Sequence, residues 1–509
     1  MMLPAPRTGT TMPEWLHERA RLSPEQLALI CEDDRWTFSE LDRRVESVAT
    51  QLVTRDVSVG DHVALLAANS SGFVQIVHAI PRLRAVLVPL NVRLTVDELA
   101  WQLADSAATC LVYDEANSSK AAELRERLPS VVYMPLRELT QEPQVEEAGQ
   151  APEPEHVDLS AVHSVIYTSG TSGQPKGAML THGNHYWSAA GSAKNLGLRE
   201  DDCWLACMPL FHIGGLAILL RSVIYGMTII VHEAFDPDEV NRAIDDRSVT
   251  MFSAVSNMLT RILEQRDDRP YPPTLRCVLA GGGPVPGPLL KACRSRGLPV
   301  VQTYGLSEAA SQVATQSPES TRQVAGSAGQ PLANTELRIE DESGRALQSG
   351  EPGEILVRGP TVMAGYWGDP KATAQALRDD WLHTGDIGYV DGNGNLHVLD
   401  RRDDLIVSGG ENVYQAEVEE VLRLHPGILD AAAFGVPDER WGQRVIAAIV
   451  PRPEDKMSVK ELAAFCGTRL ASFKVPAAFD FIDQLPRNAA GKLLRRTLRE
   501  EWVNAGPAD

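Results

Sequence analysis

Residues 167–180 read YTSGTSGQPKGAML, a run of hydroxyls and glycines ahead of a lysine. The chemistry open to such a run is anion binding. A strand ending in small residues presents successive backbone N–H groups, the hydroxyls add donors and the lysine adds mobile charge. The stretch fails the P-loop pattern G-x-x-x-x-G-K-S/T. Counted from Gly170, the sixth position is Pro175, and Lys176 is followed by Gly177. Thr168, Ser169, Gly170, Thr171, Ser172, Gly173 and Lys176 are therefore candidates for a phosphate loop of another kind. Taken alone, the run is also compatible with a flexible surface turn, the lesser of the two readings.

Five further segments carry chemistry-bearing residues in a fixed order. LAGGGPVP (279–286) ends a strand in three glycines, which lets a planar group approach the backbone. VQTYGLSEAA (301–310) ends another in an aromatic ring, a hydroxyl and a carboxylate. LHTGDIGYV (382–390) holds Asp386 after a glycine; LDRRDDLIVSGGENVY (399–414) and LPRNAAGKLLRR (485–496) complete the series.

Together these motifs, over roughly residues 165–495, resemble the adenylate-forming superfamily of acyl-CoA synthetases, luciferases and peptide-synthetase adenylation domains. The resemblance implies ATP, Mg²⁺ and coenzyme A as reactants, a small-molecule carboxylic acid as substrate, and two half-reactions. Glu308 falls on the magnesium ligand, with Thr168 adding a hydroxyl; read alone, Glu308 is also a helix N-terminal acid. Ser307 stands where the family usually has Thr and would bond the α-phosphate. Tyr304 would stack on adenine, with Gly282 and Gly283 on the other face and Gly305 beside it. Asp386 matches the ribose-binding acid, Arg401 its basic partner and Asp403 the hinge.

Lys492 matches the catalytic lysine. No general base is required, because the substrate is already a carboxylate, and the barrier is charge repulsion and positioning. A lysine touching both the carboxylate and the α-phosphate lowers it electrostatically. His212, in MPLFHIGGL, matches a residue gating the acyl pocket. After adenylation the face bearing Ser408, Gly409, Gly410 and Glu411 would replace Lys492, with Trp441 and Lys474 placed to meet CoA, although exposed structural roles fit these two residues equally.

Within the superfamily, GNHYWSAAGSAKNLGL, PLFHIGGLAILLRSVIYGM, VTMFSAVSNML, LAGGGPVPGPLL and SEAASQVATQSPE resemble the o-succinylbenzoate–CoA ligases of menaquinone biosynthesis. Such an acid carries a second, aromatic carboxylate that must be paired if buried. Arg221, Ser311 and Gln312 are the candidate donors, with Ser256 and Gly281 on the same wall; Arg221 is as compatible with an exposed helix face. YGLSE for YGMTE, SGTSGQPKG for SGTTGKPKG and Gln415 for a common Pro depart from the usual motifs. Fatty or aryl acids are the alternative substrates, since a few wall residues set pocket identity. An adenylation domain loading a carrier protein is the alternative of another class. His212, where an amino-acid substrate would call for an acid, argues against it.

The elements that must hold these residues are read from pattern. DHVALLAANS, AATCLVYD, HSVIYTSG, GMTIIVHE, VTMFSAV and LRCVLAGGG are short apolar runs ending in turn residues, as buried parallel strands do. Each precedes a helical pattern, so the chain is α/β. Residues 13–56 read as helix, strand pair and helix, the second helix capped by Thr37 or Ser39. After residue 320 short strands and Gly-rich turns imply a β subdomain. The expected division is an N-terminal domain over 1–400 and a small, mobile α+β domain over 401–509, with the hinge at 400–403.

Net charge is −20 over 509 residues, which argues against nucleic acid or an anionic membrane as partner. Seven scattered cysteines without a CxxC predict reduced thiols and a cytoplasmic protein. No apolar run is long enough to span a bilayer. Homo-oligomerisation is left open.

Overall fold

The computed structural model describes residues 10–505 except 142–155, 170–173, 247, 268, 284, 286, 319–325, 342, 401–404, 453–456, 487–492 and 494. Gly170, Thr171, Ser172, Gly173, Arg401, Asp403 and Lys492 lie outside the described residues.

The N-terminal pattern folds as its residues dictate. Trp15–Leu22 is a helix, Leu27–Cys31 and Asp34–Thr37 pair antiparallel, and Phe38–Val53 is the second helix. Thr37 caps that helix: its hydroxyl accepts from Glu40 N, and the Glu40 carboxylate accepts from Thr37 N. Phe38, Leu41, Val45, Val48, Ala49 and Leu52 recur at helical spacing and are all buried.

Two large sheets form the N-terminal part. In the first, Val86–Pro89, His62–Leu66, Cys110–Tyr113 and Val132–Pro135 run parallel. HVALL is buried at every position because both faces are covered. Val162–Ser169 joins parallel to Val86–Pro89, and Pro175–Thr181 returns antiparallel beside it, so the phosphate-loop candidate is the connection of a hairpin at the sheet's edge. Gly365–Tyr366 closes that edge against Ala178 and Met179.

The second sheet has nine strands. Leu27–Cys31, Thr228–Val231, Cys203–Ala206, Met251–Ala254, Cys277–Ala280 and Val300–Tyr304 are mutually parallel, and their carboxyl ends open on one side. An antiparallel sheet follows, built on Glu336–Glu340, Gly353–Arg358, Trp381–Val390 and Leu396–Asp400. The fourth sheet begins only after the undescribed 401–404. There Leu405–Ser408 and Glu411–Tyr414 form a hairpin, Ile428–Asp438 pairs with Gly442–Pro451, and Ala478–Phe481 lies parallel to the latter. Helices Gln415–Arg423, Val459–Gly467 and Arg495–Ala505 pack on it.

All seven cysteines are buried and unpaired. Burial pushes the Cys110, Cys203, Cys207 and Cys277 thiols up to about 12, and those of Cys31, Cys293 and Cys466 to about 11. Among the described residues no helix is long and apolar enough to cross a membrane.

Candidate active site

A cavity of about 620 Å³ opens at the carboxyl ends of the second sheet's parallel strands. Its wall takes Met208, Ala254, Gly281, Gly282 and Gly305 from just beyond or at the ends of four of them, and Thr168 and Lys176 from the hairpin of the first sheet. Asp386 comes from the antiparallel sheet, and Gly410, Asn412 and Tyr414 from the C-terminal hairpin.

Glu308 sits on the short turn Ser307–Ala309. Its Oε1 accepts from the Thr168 hydroxyl at 3.2 Å and from the Tyr366 hydroxyl at 2.9 Å. Lys176 Nζ lies 5.4 Å from the centre of the Tyr366 ring. Tyr366 was not marked by any motif; it arrives through the strand pairing Ala178–Tyr366. One carboxylate and one hydroxyl suit a hard cation that keeps water and phosphate as its other ligands. Among the described residues there is no cluster of three or more His, Cys, Asp or Glu that would hold a metal unaided. The following turn is strained: Ala310 and Ser311 have φ of +52° and +94°. Gly305 lies against it, and a side chain there would run into the Ser311 carbonyl, so only glycine fits.

Asp386 lines the cavity, and its Oδ2 accepts from the Tyr304 hydroxyl at 2.6 Å. Tyr304 itself is packed in the main core and is not part of the cavity wall. Thr303 lines the cavity there, and Tyr304, the residue expected to stack on adenine, is buried beside it and joined to the wall through Asp386. Ser256 is likewise off the wall, which is made there by Ser253, Ala254 and Val255, with Ser256 opening the next helix.

Arg221 belongs to the helix Ile213–Tyr225, apolar on nearly all sides and therefore buried. The exposed alternative is excluded, since Arg221 is 2 % exposed and lines the cavity. Its Nη2 donates to Ser188 Oγ at 3.2 Å, and Ser188 donates in turn to the Ala310 carbonyl at 2.6 Å, tying the guanidinium to the strained turn. Nε has no hydrogen-bond partner, and among the described residues no carboxylate faces Arg221. Burial holds its pKa below the ordinary arginine value. Gln312, also on the wall, donates to Thr315 while its Oε1 is buried without a partner.

His212 precedes the same helix. Its Nε2 is 3.0 Å from Oε2 of Glu411, a C-terminal residue that also accepts from Asn91 at 3.0 Å and Arg93 at 2.8 Å. Burial works to raise the Glu411 carboxyl, but His212, Arg93 and Asn91 together hold it below the usual glutamate value. The hairpin turn before it is Gly409–Gly410, with φ of +59° and +83°, a conformation suited to two glycines. A Cβ on Gly409 would stand 2.7 Å from the Trp441 ring, whose residue is exposed and next to the turn. Ser408 is buried at its base.

Lys474 corrects an expectation. It is 4 % exposed, and its Nζ donates to Glu98 at 2.6 Å and to Glu417 at 2.7 Å, so all its charge is spent within the protein and none is left for CoA. Burial and Glu98 push the Glu417 carboxyl up against the pull of Lys474. The two carboxylates hold the lysine above its ordinary value despite burial.

The AMP-binding enzyme family matches residues 16–367, and the AMP-binding enzyme C-terminal domain matches residues 417–492. A 2-succinylbenzoate–CoA ligase of Bacillus cytotoxicus is 44% identical over 490 residues, which are 96% of this chain and 98% of that protein. A solved double mutant of o-succinylbenzoate CoA synthetase from Bacillus subtilis, bound to its product analogue OSB-NCoA, gives a TM-score of 0.91 at 43% identity, over 96% of this chain and 99% of that one. The same synthetase gives 0.75 with the acyl-adenylate OSB-AMP and 0.73 with ATP and magnesium ion, over 96% of this chain and 99% and 100% of those. At nearly constant identity, this chain is nearer in overall arrangement to the product-analogue complex than to the other two. With motifs, cavity and both domains in agreement, the chain belongs to the AMP-binding enzymes, in the group of the 2-succinylbenzoate–CoA ligases.

Proposed function

We propose that this chain ligates o-succinylbenzoate to coenzyme A through an acyl-adenylate. In the first half-reaction the succinyl carboxylate attacks the α-phosphorus of ATP; an oxygen–phosphorus bond forms and pyrophosphate leaves with the electrons of the broken one. In the second, the CoA thiol gives up its proton to solvent, its sulfur attacks the mixed-anhydride carbonyl, and AMP leaves with the electrons of the broken carbon–oxygen bond. Thr168 and Glu308 would hold Mg²⁺, which when bound offsets phosphate charge. Lys176 and the loop before it are assigned to the β- and γ-phosphates, Asp386 to the ribose, and Lys492 to the carboxylate and α-phosphate of the first half-reaction.

The observation that carries the choice of acid is Arg221. A buried guanidinium without a counter-ion is costly, and a ligand carboxylate removes that cost. A fatty acid leaves Arg221 unpaired; o-succinylbenzoate brings a second carboxylate to it. The described arrangement supports a state ready for the second half-reaction, because Gly410, Asn412 and Tyr414 border the cavity and Glu411 closes on His212. Low reactivity of the thiols and the lack of a membrane-crossing helix among described residues suit a cytoplasmic enzyme.

The test is a pyrophosphate-release screen over carboxylic acids, with and without CoA. Release with o-succinylbenzoate, and thioester formation on adding free CoA, are expected. Activity with aliphatic acids alone would overturn the substrate, and a strict requirement for a carrier protein would overturn the ligase.

A further inference from the structure

Residues 91–98, NVRLTVDE, carry none of the motifs above, yet three polar side chains of this strip reach the C-terminal domain. Asn91 and Arg93 hold Glu411. Glu98 holds Lys474, its partner 376 positions away. Glu98 is aimed by its own helix. It is the third residue of Val96–Asp105, and its Oε2 accepts from Thr95 N and Thr95 Oγ1 in a capping box, leaving Oε1 for the lysine. Around this ion pair the seam is apolar: Ala471 is buried within the cluster of Leu66, Val88, Leu94 and Leu99, and Phe473 packs against both that cluster and the C-terminal core.

We propose that residues 91–98 are the dock that selects the thioester-forming placement of the C-terminal domain, with Glu98 as the positioning residue that latches Lys474. The asymmetry of the contact makes it selective. Glu417 and Lys474 both belong to the C-terminal domain and stay together wherever it moves, whereas Glu98 belongs to the N-terminal domain and meets Lys474 in this placement. Its charge therefore stabilises one arrangement of the domains over others and acts on a population. The inference rests on the two half-reactions proposed above.

The test separates those half-reactions in single turnover. Pyrophosphate release without CoA reports adenylation; conversion of preformed acyl-adenylate by CoA reports thioester formation. Glu98→Gln keeps an acceptor for the capping box and removes the charge from Lys474. It is expected to slow thioester formation about tenfold, the equivalent of 1.4 kcal/mol, with adenylation unchanged. Glu98→Lys, which sets like charge against Lys474, is expected to slow it further while still adenylating. Equal loss of both half-reactions, or no loss in either variant, would overturn the latch. Wild-type protein that releases no pyrophosphate with any acid would overturn the proposed function instead.

Discussion

Replacing Arg221 by Met keeps a long, flexible side chain and deletes the charge, and its effects have opposite signs in the free and bound protein. In the free protein Arg221 donates to Ser188, lies 5.9 Å from the Trp204 ring and leaves Nε unpaired. The hydrogen bond contributes about 1 kcal/mol and the distant ring about 0.5 kcal/mol. Against them stands a desolvation cost of several kcal/mol for an unpaired buried ion. The free variant should thus unfold at the same or a higher temperature. With o-succinylbenzoate the deleted group leaves a carboxylate unpaired, a loss of about 2–5 kcal/mol, which is roughly a 30- to 5,000-fold fall in kcat/KM. 3-Benzoylpropionate, the same acid without its ring carboxylate, supplies the control. The wild type should discriminate strongly against it, and the variant should use it as well as or better than the wild type does. Steady-state adenylation with both acids, beside thermal melts, decides the matter. An equal fall with the two acids would refute the role of Arg221.

Lys176→Ala should weaken ATP use moderately, whereas Lys492→Ala should abolish adenylation and still convert preformed acyl-adenylate to thioester; parallel losses would reassign the lysines. Tyr366→Phe removes one of the two hydroxyls on Glu308 and should raise the Mg²⁺ concentration needed for half-maximal pyrophosphate release about tenfold. His78, His163, His182 and His185 are buried, and burial holds each well below its ordinary value, to about 3 for His78 and His185 and about 4 for His182. The unfolded chain binds these protons first, so stability is full above pH 6.5 and falls as pH drops from there toward 4, each group contributing up to about 1.4 kcal/mol per pH unit. His163→Leu should flatten that slope in urea titrations across this range; an unchanged slope would refute the assignment.

Local rules carried the fold far. Thr37 and Glu40 announce a capping box, HVALL a doubly covered strand, and the turn residues after each apolar run the end of the sheet where ligands gather. Glu308, Thr168 and Asp386 were marked by their motifs and stand on one cavity. The residues that escaped are those whose role depends on distant partners. Tyr366 reaches Glu308 through a strand pairing, Asn91 and Arg93 meet Glu411 more than 300 positions on, and Glu98 is spent on Lys474. The hydrogen bond from Tyr304 to Asp386 was not foreseen, because a motif names a residue without its contacts. Arg221 was ambiguous for a related reason: one arginine in an apolar helix has the same spelling at a surface or in a core.

The seven shielded sulfurs have a practical and a chemical side. A mixed anhydride is an acylating agent, and any accessible thiolate nearby would compete with the CoA sulfur for it. This protein keeps every sulfhydryl of its own covered and protonated, so self-acylation at cysteine is suppressed. For the same reason a disulfide reagent applied to aliquots of the folded enzyme withdrawn during turnover should titrate the remaining CoA alone, giving a stepwise optical record of its consumption without background from the protein.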